Sequence, residues 1–296
     1  MQLTSSVHWI IMIPIVPGCI LIVLVMLDIV RTTLTTKGEG LISSAVTQGF
    51  RQFASFAIRK GHKLSEATGA ASILALVSVW LAGLWAGWVL IFVGLYDAIN
   101  HSGYPAVELH DLVYFVGFTL STLGVGDVTP NGASAQMVTV LASLNGLLVI
   151  TLTVTYALAV VSGVVTRRVL AYKIHLAGGE EGDFLMKHTA VDDFAAWVAD
   201  IRNELVTCTE QRLAYPVLDN FVSKEDSHSL AIQLARLGLT SLEVSRNGSV
   251  GEQSKRELKE LLTVLYRYTA LAGITDDDLE IRLRRLGRRD GWVADR

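Results

Sequence analysis

Three long apolar stretches dominate the pattern of hydrophobic and polar positions along this chain. They run from about Val7 to Ile29, from Ala70 to Leu95 and from Ala135 to Val165, where Arg167 and Arg168 close the third. A helix needs about 20 mainly apolar residues to cross the roughly 30 Å hydrocarbon core of a bilayer. The pattern therefore predicts three membrane-spanning helices.

A fourth apolar run, from Asp111 to Ser121, is too short to cross a bilayer. About 11 helical residues extend roughly 16 Å, which is half of the hydrocarbon thickness. Such a segment must re-enter the side from which it came, and we expect Asp111 to cap its N-terminus. The pattern thus predicts an all-α integral membrane protein with a short helix between its second and third spans.

Composition and charge divide the chain into an apolar part and a polar tail. Hydrophobic residues make up 51% of the sequence and charged residues 18%, with a net charge of -3. Residues 174–296 hold 16 of the 25 Lys and Arg residues and 21 of the 28 Asp and Glu residues. This composition excludes a disordered chain, a disulfide scaffold and a nucleic-acid binder with a basic surface. We predict three regions, 1–69, 70–173 and 174–296.

The distribution of basic residues predicts how the chain is oriented in the membrane. Lys and Arg occur in 31–69 and after the third span, but residues 1–30 and 96–137 contain none. Basic loops stay on the cytoplasmic side. We therefore expect a multi-pass plasma-membrane protein with its N-terminus outside and its C-terminus in the cytoplasm. No span carries the series of basic residues that voltage sensing requires.

A glycine-containing segment, Thr122-Leu-Gly-Val-Gly-Asp127, directly follows the short helix. Gly124 and Gly126 alternate with larger residues and permit backbone conformations that are closed to residues with a Cβ, so successive carbonyls can face one axis. Carbonyls at membrane depth need a partner, and a partly dehydrated cation is a suitable one. The C-terminal end of the short helix adds partial negative charge.

This segment and its flanking helices resemble the potassium-channel pore family over about Val79 to Val165. The family signature is T-x-G-[YF]-G-D after a pore helix, and the residues that match it are Thr122, Gly124, Gly126 and Asp127. Leu123 is larger than the usual valine, and Val125 replaces the usual aromatic residue. The resemblance implies a selectivity filter formed by Thr122, Leu123, Gly124, Val125, Gly126 and Asp127. Potassium, the permeant ligand, would be held by the backbone carbonyls of the first four of these residues. The resemblance also implies a homotetramer, and we expect no other cofactor.

The same resemblance assigns roles to residues on the pore helix and the inner helix. Tyr114 and Phe115 fall where the family has paired aromatics, Thr119 matches a common threonine, and Gly146 matches a hinge glycine that could equally serve close helix packing. Four inner-helix residues share one helical face by their spacing: Leu147, Ile150, Val154 and Leu158. They either line the central cavity or pack on the outer helix.

Outside the pore segment, the sequence leaves more alternatives open. Residues 41–64 form either an amphipathic helix on the inner leaflet or a solvated linker. The tail is predicted to be helical, with helix starts marked by Thr189, Ser223, Ser254 and Thr275. It serves either tetramer assembly or the sensing of a cytoplasmic ligand or partner, whose identity the sequence does not indicate.

These observations together predict a passive, potassium-selective, homotetrameric channel that is not voltage-gated. Two alternatives are a poorly selective cation channel and a non-conducting membrane receptor or scaffold with a degenerate pore. The tail contains no grouping of nucleophile, base and orienting residue, so we do not expect an enzyme. The expected partners are the lipid bilayer and further copies of the chain, without nucleic acid.

Overall fold

The computed structural model describes residues 13–35, 38–59, 65–95, 98–101, 108–179, 184, 191–223, 225–246 and 251–289. These residues form mainly helices. The α-helices are α1 (Ile15–Leu34), α2 (Leu41–Arg59), α3 (Ser65–Gly94), α4 (Leu109–Leu120), α5 (Gly132–Gly178), α6 (Val191–Ala214), α7 (Leu230–Arg246), α8 (Glu252–Leu271) and α9 (Leu279–Arg289). Two short 3₁₀ helices cover Pro216–Asn220 and Asp226–His228, and two three-residue strands are β1 (Ile99–His101) and β2 (Val128–Pro130).

Three of the described helices are long and apolar enough to cross a membrane. They are α1, α5 and the part of α3 at Ala67–Gly94, with mean hydropathies between 2.1 and 2.2. Helix α4 is apolar as well, but it has only 12 residues. The expected all-α membrane architecture is therefore confirmed for this chain.

The first and third spans extend beyond their predicted ends. Helix α1 begins at Ile15 and continues to Leu34, and the predicted start at Val7 lies outside the described residues. Helix α5 has 47 residues and continues through Arg167 and Arg168 to Gly178, so these arginines do not end it. At 1.5 Å per residue, α5 is about 70 Å long, more than twice the hydrocarbon thickness. The predicted span ended where the sequence becomes polar, but a polar residue does not by itself end a helix.

Contacts group the chain into two compact units. The membrane unit consists of Met1–Thr35, Glu39–Val46 and Ile73–Leu158, and the C-terminal unit consists of Thr36–Gly38, Thr47–Ser72 and Ala159–Arg296. Three boundaries between the units fall inside α2, α3 and α5, and the other two lie between α1 and α2. The predicted regions 1–69, 70–173 and 174–296 are a division by membrane topology, which this grouping does not test.

Helices of the membrane unit approach one another at glycines. An added Cβ at Gly18 would lie 2.7 Å from the carbonyl oxygen of Gly87, and one at Gly87 would lie 2.7 Å from Cγ1 of Ile22. Gly83 likewise faces Val25 of α1. Small residues allow helices to come close where lipid removes the hydrophobic drive for packing. These glycines therefore determine how closely α1 and α3 pack.

The C-terminal unit has a conventional apolar core. Its members come from the end of α5 and from α6 to α9, and include the fully buried Leu170, Ile174, Phe194, Val198, Leu205, Leu234, Leu237, Leu258, Leu261, Leu265 and Leu283. The heptad-like spacing of apolar residues that predicted a helix after Thr189 corresponds to α6, while Thr189 itself lies outside the described residues. The tail is therefore helical, as the sequence indicated.

Three predicted helix starts in the tail are wrong by a few residues. Helix α7 starts at Leu230, where the hydroxyl of Ser229, not Ser223, accepts the N–H of Ile232 at 3.3 Å. Helix α8 starts at Glu252, so Ser254 lies in its first turn. Helix α9 starts at Leu279, where the carboxylate of Asp278, not Thr275, accepts the N–H of Glu280 at 2.8 Å. In each case, a short run of polar residues offers several caps, and packing of the apolar face selects one.

The segment after the first span contains a helix, α2, and is not a plain linker. Its N-terminus is held by a buried acid, since the carboxylate of Asp28 accepts the backbone N–H of Ile42 at 2.8 Å and that of Ser43 at 3.2 Å. The hydroxyl of Ser43 donates to the same carboxylate. Residues 60–64 of the predicted segment lie outside the described residues, and whether α2 lies on a membrane surface stays a prediction.

Candidate functional site

The short helix α4 forms the foundation of the candidate site. It begins at Leu109, two residues before the predicted start, with Glu108 as its N-cap. Asp111 is not the cap itself. It occupies the third helical position, and its carboxylate accepts the N–H of Glu108 at 2.8 Å. The side chain of Glu108 in turn accepts the backbone N–H of Asp111, so the two residues form a capping box and satisfy two N–H groups that would otherwise lack partners.

Aromatic contacts hold α4 against the outer helix α3. Phe115, which is 1% exposed, packs edge-on against Phe92 with ring centroids 5.1 Å apart. Phe115 also contacts Phe118 on its own helix at 5.2 Å. Thr119 is buried as well, whereas Tyr114 is 42% exposed. Of the two predicted pore-helix aromatics, Phe115 thus packs inside the unit and Tyr114 lies at its surface.

The end of α4 leads directly into the predicted filter. The N–H groups of Ser121 and Leu123 donate back to the carbonyls of Gly117 and Phe118, at 3.1 and 2.9 Å. These bonds occupy two of the last carbonyls of the helix. The chain then leaves the helical path at Thr122, so the filter begins where the partial negative charge of the helix end is concentrated.

The filter backbone alternates in the sign of φ. Thr122, Gly124 and Gly126 have φ values of 58°, 59° and 87°. Among the non-glycine residues that the structure describes, Thr122 alone has a positive φ. A β-branched residue rarely adopts this conformation, and a strained backbone persists only where the surroundings impose it. The sequence predicted a special backbone at Gly124 and Gly126, and the structure adds Thr122 to these two positions.

The filter segment is exposed in the single chain. Leu123 and Val125 are 70% and 50% exposed, and no atom lies within 4 Å of an added Cβ at Gly124 or Gly126. These two glycines are therefore required by their positive φ values and not by crowding within the chain. Collision of a side chain with other atoms of the same chain is therefore not the reason for glycine at either position.

A small open space of about 310 Å³ lies behind the filter. Residues of α4, of the filter, of β2 and of α5 line it: Phe115, Phe118, Thr119, Thr122, Gly124, Gly126, Val128, Thr129, Pro130, Thr139 and Ser143. Val125 is not among these lining residues and is 50% exposed, so its side chain does not line this space within the chain.

A two-stranded sheet ties the far end of the filter to the segment before α4. His101 pairs with Val128 and Ile99 with Pro130 in antiparallel register. The carboxylate of Asp127 accepts the N–H of Val128 at 3.0 Å and also interacts with the hydroxyl of Tyr114. The sequence did not predict these strands, since three residues carry no periodicity that could be recognised.

The segments around α4 and the predicted filter carry acidic side chains and no Lys or Arg. Glu108, Asp111 and Asp127 lie in the described segments 98–101 and 108–131, which contain no Lys or Arg. Two histidines are nearby, and the Nε2 of His110 lies 3.2 Å from Asp111. Asp97, which precedes these residues in the same stretch between the second and third spans, lies outside the described residues. A field of this sign raises the local concentration of cations.

The inner helix α5 packs on the end of α4 at Gly146. An added Cβ there would collide with the carbonyl oxygen and the Cα of Leu120. The structure therefore assigns close packing to Gly146, and α5 runs through it as one unbroken helix. Its role as a gating hinge stays a prediction.

The predicted cavity-lining face of α5 is largely exposed within one chain. Leu147, Ile150, Val154 and Leu158 are between 42% and 67% exposed in the single chain. The buried residues of α5 in this unit recur at heptad spacing on a different face: Ala135, Ala142, Val149 and Tyr156. The predicted stripe is thus available to face a cavity or other copies of the chain.

Three tryptophans of α3 connect it to α1, α4 and α5. Their indole N–H groups donate to the Asp28 carboxylate of α1 at 2.9 Å, to the Val113 carbonyl of α4 at 2.9 Å and to the Asn145 side chain of α5 at 3.0 Å. The donors are Trp80, Trp85 and Trp88, respectively. The roles of Asp28 and Asn145 were missed from the sequence, although polar residues within apolar helices are a signal for such contacts.

Comparisons with known proteins agree with this geometry. Residues 76–162 match the family model described as "Ion channel". The chain is also 30% identical over 236 residues to the uncharacterized membrane protein YdjJ of Bacillus subtilis (strain 168), covering 75% of this chain and 67% of that protein. No solved structure gave a significant match.

This chain belongs to the same family as that bacterial membrane protein, and it carries an ion channel domain. The domain match begins in α3 and ends in α5, so it includes α4, the filter segment and Gly146. The chain is therefore a membrane protein of the ion channel class, which favours a transport role over catalysis.

Proposed function

We propose that four copies of this chain form a passive, potassium-selective channel in the plasma membrane. The observation that carries the proposal is the alternation of positive φ at Thr122, Gly124 and Gly126, within a T-x-G-x-G-D sequence at the end of a half-length helix. Four such segments around one axis would surround a dehydrated cation with carbonyl oxygens of Thr122, Leu123, Gly124 and Val125.

Exposure of apolar groups supports assembly into a homotetramer. Leu123 and Val125 of the proposed filter are half or more exposed, and in the proposed channel this segment would lie at membrane depth. A backbone without hydrogen-bond partners is tolerated in a membrane only when protein or a water-filled path surrounds it. Further copies of the chain, related by rotation about the pore axis, would supply these surroundings.

The charges of the spans support a channel that does not respond to voltage. Among the described residues of α1, the single basic residue is Arg31, near the helix end, and the basic residues of α5 begin at Arg167. A voltage sensor needs several basic residues within one span. The basic loop after α1 and the basic residues after residue 165 support a cytoplasmic tail and an external filter mouth.

Ion flux through reconstituted protein tests the proposal. We expect proteoliposomes that contain the full chain to take up ⁸⁶Rb⁺ against a potassium gradient, and Gly124→Ala and Gly126→Ala each to abolish the uptake. Left-handed φ costs a residue with a Cβ about 1–2 kcal/mol, which shifts the filter away from its conducting form. Gly49→Ala is the matched control, because Gly49 lies on an exposed helix face with nothing near its Cβ.

Assembly needs a measurement that does not depend on flux. Native mass spectrometry of the detergent-solubilised protein should give four times the chain mass of 32.2 kDa. Since no atom of the chain crowds Gly124 or Gly126, both variants should keep the mass of the assembly while losing flux. Unchanged Rb⁺ uptake in either variant, or a stable monomer that conducts, would contradict the filter assignment.

A poorly selective cation channel is the second candidate, and valine in place of the aromatic residue of the family signature favours it. Val125 is 50% exposed and supplies no aromatic ring that could pack beside the carbonyl ring. Reversal potentials of the parent and of Val125→Tyr under Na⁺ and K⁺ gradients separate the two functions. If the parent already prefers potassium strongly, the carbonyl ring is sufficient for selectivity without an aromatic residue at position 125, and the potassium channel is supported. If preference appears only in Val125→Tyr, the parent is the poorly selective channel.

A further inference from the structure

A cavity in the C-terminal unit lies outside the conduction site and has no assigned role. It is formed where α5 meets the segment between α6 and α7, and its lining residues are Val164, Arg167, Arg168, Leu218, Phe221, Ser223, His228, Ser229, Leu230 and Ala231. Its volume of about 40 Å³ holds about three water molecules. This is the size of a single tetrahedral anion and is much smaller than a nucleotide.

The charged side chains that line this cavity are basic. Arg167 and Arg168 approach it from α5, and no acidic side chain is among its lining residues. Arg167 is 16% exposed, donates to the hydroxyl of Tyr268 at 2.9 Å and lies 3.6 Å from Asp219. These contacts fix its side chain and leave further guanidinium N–H groups, since arginine has five. Arg168 is exposed and makes no ion pair within the described part of the chain.

The first turn of α7 adds backbone donors to the same cavity. Leu230 and Ala231 are its first two residues, and the first N–H groups of a helix have no acceptor within it. Helix α7 has 17 residues, so its N-terminus carries substantial partial positive charge. Ser223 and Ser229 also line the cavity, and the hydroxyl of Ser229 accepts the N–H of Ile232 at 3.3 Å.

His228 completes the lining of the cavity. Its ring is stacked on Tyr172 of α5 with centroids 5.1 Å apart, and its Nδ1 lies 3.0 Å from the carboxylate of Glu225. Glu225 is therefore directed to the histidine and not to the arginines. The ring of His228 thus forms a fixed wall of the cavity.

We propose that this cavity binds a phosphate group through Arg167, Arg168 and the N-terminus of α7. Phosphate is favoured over a carboxylate because a tetrahedral dianion uses donors from several directions and the two guanidinium groups match its charge. The phosphate comes either from free inorganic phosphate or from the headgroup of a phosphomonoester lipid, as the arginines directly follow the predicted inner end of the third span. The proposal is independent of potassium selectivity.

Ser223 provides a matched pair of variants for the test. Ser223→Asp brings a carboxylate to the cavity and should repel the anion, whereas Ser223→Asn has nearly the same shape without the charge. Both keep an oxygen that can accept the N–H of Glu225, as the serine does. Arg168→Gln removes one cationic group that makes no ion pair with any described residue. Lys173→Gln removes an equal charge from the same helix outside the cavity, where Lys173 pairs with Glu204.

The experiment measures thermal unfolding of the full-length protein in neutral detergent at pH 7, with inorganic phosphate or with chloride at equal ionic strength. A ligand that binds only the folded state raises the melting temperature. We expect phosphate to raise it by about 5 °C in the parent, in Ser223→Asn and in Lys173→Gln. The rise should disappear in Ser223→Asp, and the apparent Kd should weaken at least tenfold in Arg168→Gln.

A second arm identifies the source of the phosphate group. The same proteins are placed in phosphatidylcholine nanodiscs with or without phosphatidic acid. Stabilisation by phosphatidic acid alone supports a lipid headgroup, and stabilisation by both probes supports a site open to free phosphate. The proposal is overturned if neither probe stabilises the parent. It is equally overturned if Ser223→Asp and Arg168→Gln respond as Ser223→Asn does, since the anion then binds elsewhere.

Discussion

The membrane unit and the C-terminal unit are both helical, but they are held together by different contacts. In the membrane unit, helices meet at Gly18, Gly87 and Gly146, and many large apolar side chains remain exposed. In the C-terminal unit, the leucines of α7 and α8 are fully buried and charged groups form ion pairs at the surface.

The solvent of each unit explains this difference. Lipid tails are as apolar as leucine, so burial of a leucine between helices in a membrane gains little, and close packing and hydrogen bonds decide the arrangement. In water, removal of apolar surface stabilises a fold by about 25 cal/mol per Å². Hydrogen bonds of the α3 tryptophans thus help to hold the helices of the membrane unit together, whereas burial of leucines does so in the tail.

Truncation of a core leucine should have the largest effect on stability, and it should be confined to the tail. Leu261 is fully buried, so Leu261→Ala is expected to cost the C-terminal unit about 4 kcal/mol. Leu148→Ala, at a residue of α5 that is 47% exposed, should cost less than about 1 kcal/mol. Guanidinium unfolding of the full-length protein, followed by far-UV circular dichroism, measures both. Equal losses would show that exposure within one chain does not distinguish the two units.

Addition of a methyl group should be the most damaging small change in the membrane unit. Gly146→Ala brings a Cβ against three backbone atoms of Leu120, which cannot move without displacing the end of α4. We expect a loss of about 3 kcal/mol and loss of Rb⁺ uptake. Thermal unfolding in detergent gives the stability, with Gly49→Ala as the control that should be neutral or slightly stabilising. A fully active and stable Gly146→Ala variant would show that close packing against Leu120 is not the role of this residue.

Removal of one tryptophan hydrogen bond should have a smaller effect. Trp80→Phe retains the ring that packs against Tyr156 but removes the N–H that Asp28 accepts at 2.9 Å. A hydrogen bond to a charged group contributes about 2 kcal/mol, and Asp28 retains its bonds to Ile42 and Ser43. A lower melting temperature in detergent is the expected result. An unchanged one would mean that ring packing alone connects α1 to α3.

The reactivity of Cys208 should show how well the core of the tail is closed. Burial raises the pKa of this thiol from 9.0 to about 11, while Arg167 acts in the opposite direction. At pH 8, alkylation should therefore be about a hundredfold slower than for an ordinary thiol, because only the thiolate reacts. Iodoacetamide labelling in a Cys19→Ala background, before and after denaturation, measures this rate. Rapid labelling of the folded protein would mean that the core opens readily.

The same shift predicts a change in stability at high pH. Between about pH 9 and pH 11, the folded state keeps the proton of Cys208 while the unfolded chain loses it. The folded state then binds more protons, so the free energy of unfolding falls as the pH rises through this range. Cys208→Ala should show a weaker fall, which a series of melting curves from pH 8 to pH 10.5 would detect.

The sequence by itself determined the features that arise from local composition and chain length. Long apolar runs predicted the three candidate spans, because crossing lipid requires a continuous apolar helix. The run ending at Ser121 was recognised as too short to span, and the alternating glycines indicated a special backbone at Gly124 and Gly126. These features need no partner elsewhere in the chain, so a pattern of nearby residues is sufficient to reveal them.

Tertiary structure alone decided the features that join distant segments. Gly146 serves close packing because the end of α4 lies against it, and Asp28 caps α2 because the chain turns back between them. The pairing of His101 with Val128 and the cavity beside Arg167 depend likewise on residues far apart in the sequence. Helix α5 continues past its arginines because the core of the tail buries its later turns. Such contacts depend on how helices pack in space, which the periodicity of one segment does not specify.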